Sequence, residues 1–333
     1  MIAPTLPPAL KAALDAKLEG LSRSDAAARA ATISKTYRKG GNSGTIRTEA
    51  DALAYALARM PATYAAVAAS LTALTEIRPE FSPRSLLDVG AGPGTASFAA
   101  AEAFSSLESF ALLDRNDSLH ALARELAYGN ARFDGLTYKS GEARAALAHA
   151  DAADLVVASY LIGELSEVER DELTALMWDK TRDTLLIIEP GTPAGYARII
   201  AARARLIARG AHVAAPCPHD SDCPLTPPDW CHFAQRLARS RAHKEIKGAE
   251  LPFEDEKFAY IVLTRAPAQP GRARVLAPPA MNKVEISAKL CTADGLVVAK
   301  VPRRDKKAYA QARRWRWGDA VHGGKLAPGS AWR

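Results

Sequence analysis

The sequence of 333 residues predicts an α/β chain built on a parallel, doubly wound sheet, and three observations predict it. From Arg84 onward, short apolar runs alternate with helical stretches: Leu86–Val89, Phe110–Leu113, Leu136–Lys139, Leu155–Ser159, Leu185–Ile188 and, much later, Phe258–Thr264. That rhythm gives parallel pairing, because each crossover helix returns the chain to the same end of the sheet. The first run enters a glycine turn, Asp88-Val89-Gly90-Ala91-Gly92-Pro93-Gly94-Thr95, with an alanine-rich helix from Ala96 to Phe104 behind it. An acid, Asp114, closes the second run.

The other elements follow in order. Residues 1–80 read as a helical N-terminal region, since Leu10 to Leu21 and Glu49 to Leu74 repeat apolar positions at helical intervals on either side of the turn Lys39-Gly40-Gly41-Asn42-Ser43-Gly44. Residues 81–265 carry the sheet, including a cysteine-rich insert at 211–250. Residues 266–333 form a basic C-terminal segment with strand-like runs at Val284–Leu290 and Leu296–Val301. Lysine and arginine number 44 against 37 acids, a formal charge of +7, which favours a polyanionic partner. No apolar run approaches the roughly 18 residues of a membrane helix, and the start Met1-Ile2-Ala3-Pro4 lacks the charged-then-apolar order of a secretory signal. The expectation is a soluble protein without membrane contact, monomeric when free. Heavy use of alanine and arginine points to a bacterial cytoplasm.

Glycine permits positive φ and close backbone approach, and the helix behind the turn presents unpaired N–H groups, so a nucleotide-like ligand belongs there. The pattern is G-x-G-x-G, with Thr95 where a dinucleotide fingerprint has its third glycine. Asp88 before the turn, and Asp114 at the distance where a ribose hydroxyl pair is held, direct the reading to S-adenosylmethionine. The core is then of the class I methyltransferase, Rossmann-like type, with Asp88, Gly90, Gly92, Gly94, Asp114 and Ser159 as cofactor-binding candidates. Ligands in such sheets bind outside the carboxyl ends of the strands, so Gly90, Asp114, Ser159 and Glu189 are expected to share one cleft. After the fourth strand stands Ser159-Tyr160-Leu161-Ile162-Gly163-Glu164, where many base-methylating enzymes carry N-P-P-Y or D-P-P-Y. That tetrapeptide is missing, which leaves Tyr160, Glu164 and Glu189 as the catalytic candidates.

The insert holds three of the four cysteines within fifteen residues, and the full spacing is Cys217-x5-Cys223-x7-Cys231-x59-Cys291. Thiolates of this number, gathered by a proline-rich loop, can ligate one metal centre. The gaps do not match the short C-x2-C knuckles of zinc, and four cysteines also suit an iron–sulfur cluster. Cys217 follows a proline, as does the nucleophile of enzymes that methylate cytosine carbon, but that nucleophile stands after the fourth strand, where this chain has Ser159-Tyr160.

In the order of these motifs the chain resembles the family of mitochondrial small-ribosomal-subunit assembly factors that includes methyltransferase-like protein seventeen, with its bacterial relatives. The carriers are Leu87 to Thr95, Ile188-Glu189-Pro190-Gly191-Thr192-Pro193-Ala194-Gly195, the cysteine segment from Pro216-Cys217-Pro218-His219 to Trp230-Cys231-His232-Phe233, and Trp317-Gly318-Asp319. The resemblance implies an S-adenosylmethionine-type core, a four-iron four-sulfur (4Fe-4S) cluster on Cys217, Cys223, Cys231 and Cys291, and association with small-subunit ribosomal RNA or a pre-ribosomal particle.

Near the C-terminus, Arg303-Arg304-Asp305-Lys306-Lys307 and Arg313-Arg314-Trp315-Arg316-Trp317 interleave cations with aromatics. Cations neutralise phosphate and indole faces stack on unpaired bases, so this segment is expected to bind RNA while Cys291 ties it to the core. The function expected is that of an S-adenosylmethionine-binding, iron–sulfur protein acting on small-subunit ribosomal RNA, in ribosome assembly, in ribosomal RNA methylation or in both; the alternative is a catalytically silent RNA-binding assembly factor with a structural zinc site.

Overall fold

A computed structural model describes residues 2–38, 41–269, 271 and 273–321. The end of the basic segment, 322–333, and Lys39-Gly40 of the first glycine-rich turn lie outside the described residues. The chain divides into two compact units interleaved in sequence. The first comprises 1–72, 81–188 and 235–256; the second comprises 73–80, 189–234 and 257–333.

The first unit begins with α1 (Pro8–Leu18), α2 (Arg23–Arg38) and most of α3 (Glu49–Ile77). Helix α1 buries Leu10, Leu14 and Leu18, one residue per turn. Helix α3 starts at a reciprocal cap, in which Thr48 Oγ1 accepts from Asp51 N and Asp51 Oδ2 accepts from Thr48 N, both at 3.1 Å. Its alanines at 52, 54, 56, 58, 62, 65, 66 and 68 are buried on every side, which marks a core helix rather than a surface one.

The doubly wound sheet follows: β1 (Ser85–Val89), α4 (Thr95–Ala103), β2 (Ser109–Asp114), α5 (Asp117–Ala127), β3 (Leu136–Ser140), α6 (Ala143–Ala148), β4 (Ala153–Ser159), α7 (Glu167–Asp179) and β5 (Thr181–Pro190). The strands run in the order β3-β2-β1-β4-β5, every pair parallel. This is the Rossmann-like arrangement that class I methyltransferases share, and its order reverses beside β1, where the glycine turn emerges. Leu86, Leu87 and Val89 are each at most 1% exposed, as a strand covered by helices on both faces requires. Helix α5 is capped by Asn116 and α7 by a Ser166/Glu169 capping box.

The chain continues through α8 (Pro193–Ile207), β6 (His212–Ala215), an irregular stretch from Pro216 to His232, β7 (Phe233–Ala238), α9 (Arg241–Lys247) and β8 (Phe253–Thr264). Strand β6 pairs antiparallel with β8 in the second unit. A separate antiparallel sheet is built from β9 (Ala273–Val275), β10 (Ala280–Met281), β11 (Glu285–Thr292) and β12 (Gly295–Pro302) and, after α10 (Lys306–Ala312), β13 (Ala320–Val321). Strands β11 and β12 form a hairpin paired from Glu285↔Pro302 to Thr292↔Gly295. Its small core contains Ala273, Val275, Ala288, Leu290, Ala299 and Val321, with Trp315 packed against it.

Candidate functional site

In the first unit, one pocket is lined by Gly90, Gly92, Asp114, Ser159, Tyr160 and Glu164. Gly90 has φ +69°, and a Cβ there would meet Leu161 Cδ1 at 2.7 Å, so both backbone and space call for glycine. The turn is locked from below, where Gly90 N and Ala91 N both donate to Leu113 O. Asp114 holds its rim: Oδ2 accepts from Gly92 N at 2.8 Å and Oδ1 from Asn116 N at 2.9 Å. A carboxylate has about four acceptor positions, so with N–H donors from Gly92, Asn116 and Arg115 this one retains room for a further hydroxyl. Burial raises its pKa, and the N–H donors oppose that shift.

Asp88 and Gly94 do not line the pocket. Asp88 lies beneath it at 0% exposure, its Oδ2 accepting from Ser97 N and Ser97 Oγ at 3.1 and 2.8 Å, which fastens the first turn of α4 to β1. Its Oδ1 is buried without a hydrogen-bond partner, and burial lifts its pKa to about 7. Glu164 is also lifted to about 7 by burial, although the Ser43 N–H and the Tyr37 hydroxyl favour its charged form. Both folded values lie above the unfolded ones, so the folded chain holds protons that the unfolded chain releases. Stability should therefore fall as pH rises from about 4 to about 7, by on the order of 1 kcal/mol per pH unit for the fully buried Asp88. Thermal melts between pH 5 and 8 check this, and Asp88→Asn should flatten the profile; an unchanged slope would refute the assignment.

Nothing in the spacing of the N-terminal helices signals that they reach this pocket, yet Tyr37, Ser43 and Tyr55 line it. The two tyrosine rings stack with centroids 6.0 Å apart. Asn116 Nδ2 donates to Ser43 O and Ile46 O, tying the short turn at Ser43–Thr45 to the start of α5. Glu142, after the carboxyl end of β3, was also missed, though the strand-end rule that located Asp114 covers it.

Tyr160 has φ +58°, the left-handed region that a non-glycine residue enters at a cost. Its hydroxyl donates to Glu256 Oε1 at 2.7 Å, and Arg59 stands 3.6 Å from the same oxygen. Glu189 does not join this group. It belongs to the second unit, is 0% exposed, and accepts from Arg198 Nε at 2.7 Å.

In the second unit, all four cysteines line one cavity, although 59 residues lie between the third and the fourth. Tyr196 OH lies 3.1 Å from Cys223 Sγ, and His219 Nε2 lies 3.6 Å from Cys291 Sγ. Burial pushes the thiols of Cys217 and Cys231 up, and that of Cys291 up to about 12. Among the described residues, no three His, Cys, Asp or Glu side chains are grouped closely enough to hold a metal ion as they stand. The cavity thus brings the sulfurs together without a closed ligand shell.

The basic segment is exposed at Arg303, Arg304, Lys306, Lys307, Arg313, Arg314 and Arg316. Trp315 and Trp317 are half-buried: Trp315 packs on the small core, and Trp317 meets His232 edge-on at 4.9 Å. The cations face solvent, while the indoles are engaged in packing. No described helix is long and apolar enough to cross a membrane.

The family model described as mitochondrial small ribosomal subunit Rsm22 matches residues 49–322. The chain belongs to this family. Within reach of the Rsm22 description is human ribosome assembly protein METTL17, mitochondrial, 29% identical over 299 residues, covering 82% of this chain and 63% of that protein. Rsm22-cox11 tandem protein 2, mitochondrial, of Schizosaccharomyces pombe is 26% identical over 324 residues, covering 82% of this chain and 43% of that protein. The chain therefore spans less than two thirds of the length of either relative. The structure of magnesium protoporphyrin IX methyltransferase from Synechocystis PCC 6803 with bound SAM aligns at a TM-score of 0.39 and 15% identity, covering 71% of this chain and 92% of that one. The fold assignment rests on the strand order and the glycine turn. One expectation is overturned: the Rsm22 description and both relatives are mitochondrial, against a bacterial cytoplasmic protein. Alanine and arginine bias carries no compartment address.

Proposed function

We propose that this Rsm22-family chain is an assembly factor of a mitochondrial-type small ribosomal subunit. On this reading it binds S-adenosylmethionine in the first unit, holds a metal centre on four cysteines in the second, and contacts ribosomal RNA through its exposed cations. The observation that carries the proposal is the family match over residues 49–322, joined to a pocket whose glycine turn and Asp114 stand at the topological switch. Gly90 and Gly92 would face the methionine end and Asp114 the ribose hydroxyls, with Glu142 and Ser159 at neighbouring strand ends. Cys217, Cys223, Cys231 and Cys291 would hold a 4Fe-4S cluster, with zinc as the alternative; the donor set fits either, since both take thiolates. Bound there, the group would crosslink the irregular 216–232 stretch to β11. Arg303, Arg304, Lys306 and Lys307 would neutralise phosphates, with a salt-dependent affinity.

A second reading, methyl transfer to ribosomal RNA, is favoured by the strained backbone of Tyr160 at the pocket mouth. Against it, the Tyr160 hydroxyl is engaged by Glu256. The deciding experiment is gene deletion, with small-subunit assembly and ribosomal RNA methylation mapped together, and rescue by the wild-type or an Asp114→Ala chain. Stalled small subunits with intact methylation support the assembly factor, and a methyl mark restored only by wild type supports the enzyme. Normal subunits with no RNA association would refute both.

A further inference from the structure

Two arginines in the wall of the cysteine cavity have no role in the reading above. Arg203, on α8, is 2% exposed, and Arg274, on β9, is 3% exposed. Arg203 Nη2 donates to His219 O and Ser221 O at 2.8 and 2.6 Å, while its Nε is buried without a hydrogen-bond partner. Arg274 donates from Nε to Pro216 O at 2.7 Å and from Nη1 to Gly318 O at 2.8 Å. All these acceptors are neutral carbonyls. Among the described residues, neither guanidinium makes an ion pair with a carboxylate.

A buried, unpaired cation is costly, and arginine does not escape by losing its proton. Charges in protein interiors are therefore compensated. The side chains that share this cavity and can carry negative charge as metal ligands are the four cysteines. Arg274 stands directly opposite Cys291 in the antiparallel pairing of β9 with β11. Arg203 bonds the carbonyls of His219 and Ser221, within the loop between Cys217 and Cys223.

We propose that Arg203 and Arg274 are the counter-charges of a dianionic metal–thiolate centre on Cys217, Cys223, Cys231 and Cys291. The inference rests on the four-cysteine metal reading and adds its electrostatics. Four thiolates contribute four negative charges, a divalent ion or a cluster core of charge 2+ leaves two, and two guanidiniums balance them. The four thiol protons leave to solvent as the metal binds. Both arginines are positioning residues that retain the centre by charge, and Arg203 does so while anchoring the loop that carries two of its ligands.

The test uses the full chain purified anaerobically. Metal content of the wild type is measured first; a chain that takes up neither iron with sulfide nor zinc would overturn the metal reading and this inference together. With metal present, its loss to excess chelator is followed in Arg203→Lys, Arg203→Gln and Arg274→Gln, alongside a melt to verify folding. Lysine keeps the charge, whereas glutamine keeps an N–H donor for the carbonyls without the charge. The expected result is metal loss at least tenfold faster in both glutamine variants and within threefold of wild type in Arg203→Lys. Where the metal is iron, the glutamine variants should also be harder to reduce, because reduction adds negative charge beside a missing cation. Glutamine variants that retain metal like wild type, or better than Arg203→Lys, would assign the arginines to loop structure alone and leave the metal reading intact.

Discussion

Gly90→Val should weaken S-adenosylmethionine binding by on the order of 100-fold, which corresponds to about 2.7 kcal/mol. Two causes act together. A β-branched residue at φ +69° occupies a region that costs L-residues roughly 1–2 kcal/mol or more. The added Cβ would also stand 2.7 and 2.9 Å from the two methyl carbons of Leu161. Those methyls are the far end of a flexible side chain that lines the pocket, so Leu161 can yield within its own site and the fold should survive. Gly129→Ala separates the two causes, because Gly129 has φ +74° with nothing within 4 Å of the added Cβ. It should lose about 1 kcal/mol of stability and no affinity. Calorimetry with S-adenosylmethionine and S-adenosylhomocysteine, together with melts of all three chains, reads both effects. Wild-type binding of NAD in their place, or unchanged affinity in Gly90→Val, would remove the cofactor assignment.

Cys291→Ser should be the most damaging conservative change in the second unit. If the four sulfurs were ordinary buried thiols, exchange of one for a hydroxyl would cost on the order of 1–2 kcal/mol. As a ligand, Cys291 couples metal affinity to folding, and its loss should strip most of the metal and destabilise the chain by several kcal/mol. The damage should spread beyond the cavity, since β11 carries Cys291 and pairs with both β9 and β12. Iron, sulfide and zinc analysis with thermal melts, with and without chelator, decides the matter. Equal melting of wild type and Cys291→Ser under both conditions would exclude a structural metal.

The sequence by itself determined the features written in neighbouring residues. Apolar runs of strand length, separated by helical stretches, specified the doubly wound sheet, because periodicity reports locally which faces are covered. The glycine turn and Asp114 were legible for a related reason: parallel crossovers bring the carboxyl ends of successive strands to one edge wherever the rest of the chain goes. The four cysteines were countable, but their gathering in one cavity depends on β11 returning after 59 intervening residues.

Only the tertiary structure decided which buried groups meet. Glu189 ends a strand as Asp114 and Ser159 do, yet Arg198, nine residues on, neutralises it in the second unit. Tyr37 and Tyr55 line the pocket through the packing of helices whose own pattern says nothing of a ligand. Trp315 and Trp317 look in sequence like stacking platforms beside arginines, and packing engages both. Arg203 sits in a helix with Arg198 and Arg205 and is indistinguishable from them in sequence, while Arg274 faces Cys291 only through strand register. Burial of a charge is a property of what surrounds it on all sides, and those neighbours come from segments that one-dimensional spacing does not bring together.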